Sequence, residues 1–192
     1  MTRLDAVERA ALLGLARAAL REHLGLAADP ALPQAGPLAE PRGAFVTLTV
    51  KGELRGCVGT FTPQGSLAAT VVRMAVSAAA EDPRFPPLRP DELDDLDVRV
   101  SALEPRRPMR DVAELSIGRD GVVVELGWHR GALLPQVAVE EGWDATTFLE
   151  RTCLKAGLPP GAWRDPLARV ELFGVEEVGV ERLDPPAGAC EG

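Results

Sequence analysis

Hydrophobic positions change their period several times along this chain, and each change marks an element. Between Asp5 and Leu24 the apolar residues Leu12, Leu15, Ala19, Leu20 and Leu24 recur on one helical face. Asp5 with Glu8 three places on makes a capping box, and Gly25 supplies a left-handed stop, so a helix over 5–24 is predicted. Prolines at 30, 33, 37 and 41 then forbid a regular ladder and predict an extended connection. From Ala44 the period becomes two. Ala44, Val46, Leu48 and Val50 face one way, Lys51-Gly52 makes a tight hairpin turn, and Leu54 to Phe61 returns. Ser66 caps a helix from Leu67 to Ala80 with so few polar positions that most of its sides must be covered. Beyond the proline-rich residues 83–90, Asp97 to Leu103 alternates again, with Val98, Val100 and Ala102 inward.

The second half repeats that order. Val122–Leu126 and Ala132–Val137 flank a connection at Gly127–Gly131, Asp144 caps a helix that ends at Gly157, and Leu167–Val180 reads as a strand. The predicted fold class is α+β: two ββαβ-like units with mainly antiparallel sheets covered by helices. In this repeat Arg55-Gly56-Cys57 matches Leu134-Pro135-Gln136, and matched segments facing a shared cleft would add Gln136 to a site at Cys57. The stretch from Asp184 to Gly192, rich in proline, glycine and alanine, reads as loose.

Composition narrows the function classes. The chain has 192 residues, 46% of them hydrophobic, enough for one ordinary domain or two small ones. A net charge of -8 argues against nucleic acid or an anionic membrane as partner, since both need a basic surface. No apolar run is long enough to span a bilayer, and acidic residues close to Met1 do not fit a signal peptide, so a cytoplasmic protein is expected. Abundant Ala, Pro, Gly and Arg with no Tyr fit a high-GC bacterial genome. Cys57, Cys153 and Cys190 are too scattered for a disulfide framework or a metal knuckle. With only His23 and His129 besides, no metal or other cofactor is expected.

Candidate chemistry concentrates in Leu54-Arg55-Gly56-Cys57-Val58-Gly59. On a strand Arg55 and Cys57 share a face about 7 Å apart. A guanidinium there would lower the cysteine pKa from about 8.5 and make it a better nucleophile. Gly56 and Gly59 leave the backbone bare, as close approach of another chain or a ligand requires. The alternative is a buried, inert cysteine with Arg55 paired to a carboxylate. Glu81-Asp82-Pro83-Arg84-Phe85, after the apolar helix, reads as a helix stop in which Asp82 and Arg84 satisfy open backbone groups. The functional alternative makes Arg84 an anion-binding residue near Cys57. Cys153 belongs to an apolar helix face, His129 sits in a turn with no fixed distance to Cys57, and Lys155 complements a helix C-terminus.

These blocks resemble the AMMECR family, named after a human Alport-syndrome deletion region and called AmmeMemoRadiSam system protein A in prokaryotes. The resemblance is carried by Leu54–Gly59, Ala80–Phe85, Leu133–Asp144, Phe148–Glu150 and Thr152–Leu158, in order through most of the chain, with Val58 where isoleucine is commoner. It implies an α+β fold in two unequal parts, so the chain is read as a single domain over 1–184 with the smaller part within roughly 108–165, and the composition adds a flexible tail at 185–192. It also points to the hexapeptide as functional without supplying a reaction. Prokaryotic members are linked by gene neighbourhood to Memo-like proteins and radical S-adenosylmethionine enzymes, which implies those partners. The expectation is an accessory or binding module for a small molecule or partner terminus, with Gly56, Gly59, Asp82, Arg84, Gln136 and Lys155 as binding candidates. The alternative is a thiol-dependent enzyme using Cys57 and Arg55.

Overall fold

The computed structural model describes residues 3–26, 31–63 and 65–179, and within them the chain folds as an α+β protein. Helices α1 (Ala6–His23), α2 (Leu67–Ala80), α3 (Pro135–Glu140) and α4 (Ala145–Lys155) accompany strands β1 (Ala44–Val50), β2 (Glu53–Thr60), β3 (Leu96–Leu103), β4 (Arg107–Pro108), β5 (Asp120–Leu126), β6 (His129–Leu133) and β7 (Arg169–Gly179). The chain divides into two compact units, one built on residues up to Leu103 and again from Glu176, the other running from Glu104 to Val175. Val180, the tail at 184–192 and its Cys190 lie outside the described residues.

In the first unit β1 pairs antiparallel with both β2 and β3, so β2 is an edge strand. Lys51 and Gly52 both take positive φ, 53° and 84°, the turn that joins right-twisted strands most directly. Val46, Leu48, Val98 and Val100 bury one face of the strands against Leu67, Val71 and Ala75 of α2 and against Leu12 and Leu20 of α1. The caps are those the sequence predicts. Asp5 and Glu8 bond reciprocally at 2.8 Å each, and the Ser66 hydroxyl accepts the Ala69 N–H at 3.1 Å. The last residues of β7 also belong here. Glu176, 2% exposed, accepts the Leu4 N–H at 3.0 Å and the Arg9 guanidinium at 2.7 Å, with Arg42 3.5 Å from its other oxygen.

The second unit pairs β5 antiparallel with β6 and β7, and β4 with β7. Val122, Val124, Leu133 and Leu172 pack against Phe148, Leu149 and Cys153 of α4. One predicted strand is wrong: β6 ends at Leu133, and Pro135–Glu140, which holds the expected strand end, is helix. Pro135 is the cause. It forces Leu134 into extended backbone (φ -75°, ψ 155°) and then suits the first turn of a helix, where no N–H partner is needed. Two helices, α3 and α4, thus follow this hairpin where the repeat predicts one.

Gly56 shows how tightly helix and edge strand meet. A Cβ at this position would collide with the carbonyl oxygen of Ala78 in α2, which is backbone and cannot turn aside. Gly56→Ala is expected to destabilise the protein by at least about 2 kcal/mol through forced displacement of α2. A thermal or urea unfolding curve unchanged by the substitution would contradict that packing.

Candidate functional site

Cys57 stands near the middle of β2, and its backbone N–H points away from β1 toward the open side of the sheet. A carboxylate meets it there: Asp82 Oδ2 accepts this N–H at 2.8 Å. Pro83 stops the chain from continuing α2, which frees Asp82 to turn back. Arg84 completes the clamp, donating through its Nε to Asp82 Oδ1 at 3.0 Å and through Nη2 to Oδ2 at 2.9 Å. Its Nη2 also reaches the Cys57 carbonyl at 3.4 Å. Edge strands expose unpaired ladder groups, and here both groups of one residue are occupied by side chains. The helix-stop reading of Asp82 and Arg84 is therefore realised, with β2 as the backbone that they satisfy. Phe85 lies half-buried under the Arg84 guanidinium, 5.5 Å from it, rather than in the core.

The Arg84 side-chain hydrogen bonds lower the Asp82 pKa from 3.8 to about 2; burial opposes them and the Cys57 N–H assists. Being depressed on folding, it stabilises the protein fully above pH 4 and loses this contribution as the pH falls toward 2.

Arg55 is directed away from the sulfur. Its guanidinium bonds Glu92 through Nε at 2.7 Å and Nη2 at 3.1 Å, and it donates to the carbonyls of Pro86 at 2.7 Å and Pro87 at 3.1 Å. A carboxylate fork and two carbonyls match the five-donor geometry of arginine far better than a sulfur does. Glu92 in turn is held below the usual carboxylate range, chiefly by the Arg55 hydrogen bond. The Thr47 hydroxyl lies 3.3 Å from Cys57 Sγ. Cys57 is 9% exposed and disulfide-bonded, which the wide spacing of the cysteines does not predict.

The strand face that carries Cys57, opposite the helix-covered one, holds residues that the sequence reading missed. Strand register places Cys57, Thr47 and Arg99 in one row and Gly59, Phe45 and Ser101 in the next. Phe45 lies against Gly59, where a side chain would strike its ring. The Ser101 hydroxyl donates to both Glu177 carboxylate oxygens, at 2.8 and 3.0 Å. Glu177 is exposed as a residue, yet enclosure of its carboxyl raises its pKa, against the Ser101 hydrogen bond and the Arg99 charge. Arg99 is half-buried and makes no hydrogen bond or ion pair with any described residue. The available signal was the polar half of the alternation itself, Thr47 and Thr49 in β1 and Asp97, Arg99 and Ser101 in β3.

The remaining candidates belong to the second unit. Gln136 is the second residue of α3, and Lys155 is the last of α4. His129 Nδ1 bonds the Ala156 carbonyl at 3.1 Å, tying the β5–β6 turn to the end of α4. Cys153 is fully buried and its thiol is pushed up by burial, as a core residue's would be. Among the described residues no group of three His, Cys, Asp or Glu side chains is placed to hold a metal ion, and no helix is long and apolar enough to cross a membrane.

An antiparallel α+β protein with a braced hexapeptide on its edge strand is the class that fold and site define together. The AMMECR1 family profile matches residues 13–178, and the chain belongs to that family. A protein of Methanothermobacter thermautotrophicus is 49% identical over 170 residues, covering 84% of this chain and 88% of its own. Protein TK0174 of Thermococcus kodakarensis is 42% identical, with 86% of each chain covered. The crystal structure of uncharacterised protein PH0010 from Pyrococcus horikoshii superposes with a TM-score of 0.73 at 40% identity, over 86% of this chain and 88% of that one. These relatives are archaeal, whereas the composition pointed to a bacterial source.

Two substitutions test the clamp. Asp82→Asn is expected to cost about 2 kcal/mol at neutral pH, the equivalent of the pKa depression, and to flatten the fall in stability between pH 4 and pH 2. Urea midpoints measured across that range check both. Arg55→Lys keeps the charge but loses the fork, and should cost about 1–2 kcal/mol in the same assay.

Proposed function

We propose that this AMMECR1-family protein is an accessory binding module whose recognition surface is the polar strand face around Cys57. The supporting observation is how the hexapeptide spends its polar groups. Arg55 is committed to Glu92, and the Cys57 backbone is committed to Asp82 and Arg84. A nucleophile needs an oriented base and an accessible atom. Here the charged side chains instead hold an edge strand in one position, which is what a preformed recognition surface requires. The family resemblance supplies the partners, a Memo-like protein and a radical S-adenosylmethionine enzyme.

Immobilised protein should retain a Memo-like protein or a radical S-adenosylmethionine enzyme from the same source, with calorimetry giving a measurable affinity. Absence of binding to either, alone or in mixture, would end this reading.

A further inference from the structure

Arg99 is the feature of this face that the fold itself does not explain. Its neighbours across the strands are Thr47 on β1 and, at the end of β7, Gly179, where an added Cβ would lie 3.3 Å from Arg99 Cγ. Along β3 it shares its face with Asp97 and Ser101, each about 7 Å away by strand geometry. Glu177 is close enough for the Arg99 charge to act on its carboxyl, yet no ion pair joins them. Leaving a half-buried guanidinium without a hydrogen-bonded or ion-paired partner among the described residues costs free energy, and so does enclosing a carboxylate. Separated opposite charges flanked by hydroxyls are complementary to a molecule that carries both signs.

The geometry points to a binding site for a small zwitterion of the amino-acid type, its carboxylate on Arg99 and its ammonium on Glu177, with the Ser101 hydroxyl beside Glu177 and the Thr47 hydroxyl flanking Arg99 on the β1 side. This site rests on the reading of the polar face as the recognition surface, and names what it recognises there. Two acidic side chains beside the cation disfavour a phosphate dianion, because each would repel the second negative charge. A monocarboxylate without an amine would satisfy Arg99 alone and leave Glu177 as it is. The ammonium adds a charge-assisted bond to a group that already accepts from Ser101.

Titration of the isotope-labelled protein with glycine, acetate, methylammonium and inorganic phosphate, followed by amide chemical shifts, tests the assignment. Glycine should bind more tightly than acetate or phosphate, and its shifts should centre on β1, β3 and the end of β7. Arg99→Met should weaken glycine by roughly 10-fold to 100-fold, the loss of one charge-assisted contact, while Arg99→Lys recovers part of it. Glu177→Gln should bring glycine down to the level of acetate and leave acetate no weaker. Each variant's amide spectrum shows whether it is folded, and the comparison of glycine with phosphate on the unmodified protein needs no variant at all. Phosphate binding more tightly than glycine, no saturable glycine binding, or glycine affinity indifferent to Arg99 would overturn the inference. Capture of the Memo-like or radical enzyme is measured separately. Partner binding without glycine binding rejects the ligand and keeps the module, and glycine binding without partner capture does the reverse.

Discussion

A carboxylate turned back from the end of α2 holds the outer edge of β2, and the hexapeptide owes its conformation to that contact. Asp82 meets the one backbone N–H of Cys57 that β1 cannot reach, and Arg84 is drawn in to neutralise it and to cover the carbonyl of the same residue. Without the pair, an edge strand would offer a free donor and acceptor to any extended chain. With it, β2 is sealed at its centre. The depressed pKa of Asp82 is the energetic signature of this arrangement, because the ionised form is the one that the surrounding donors require.

The two glycines of the hexapeptide then have separate explanations on opposite faces. Gly56 lets the backbone of α2 come against the strand, while Gly59 makes room for the ring of Phe45. Arg55 anchors the same strand to the segment Pro86–Glu92. Arg55, Gly56, Cys57 and Gly59 are thus all engaged in packing or in anchoring the strand. Thr47, Arg99, Ser101 and Glu177 supply polar groups to a face whose position the hexapeptide helps to fix.

Much of the fold was legible because local rules were decisive. The capping box at Asp5 and Glu8, the Ser66 and Asp144 caps and the Lys51-Gly52 turn each satisfy backbone groups within a few residues, so the sequence alone shows them. The strand expected over Ala132–Val137 failed at Pro135, where apolar residues fit either period and proline at a helix start decides. The site was less legible. Two-residue spacing put Arg55 beside Cys57, but Glu92, 37 positions away, won the guanidinium. Glu177 and Ser101 are separated by 76 positions, and no local pattern announces their meeting. Polar residues alternating with core residues read as solvent-facing until the fold shows which of them are enclosed.

Glu176 carries a consequence for the order in which the molecule is made. This buried carboxylate takes the Leu4 N–H and the Arg9 guanidinium near the start of the chain, yet it is reached only in β7. The unit that holds the hexapeptide is thus discontinuous, interrupted by Glu104–Val175, whereas the interrupting unit is one uninterrupted stretch. On a ribosome, the interrupting unit has all its residues before the first can close. Until β7 emerges, Arg9 and Arg42 lack the Glu176 carboxylate that they share in the folded unit, and the hexapeptide waits on a sheet that is still incomplete.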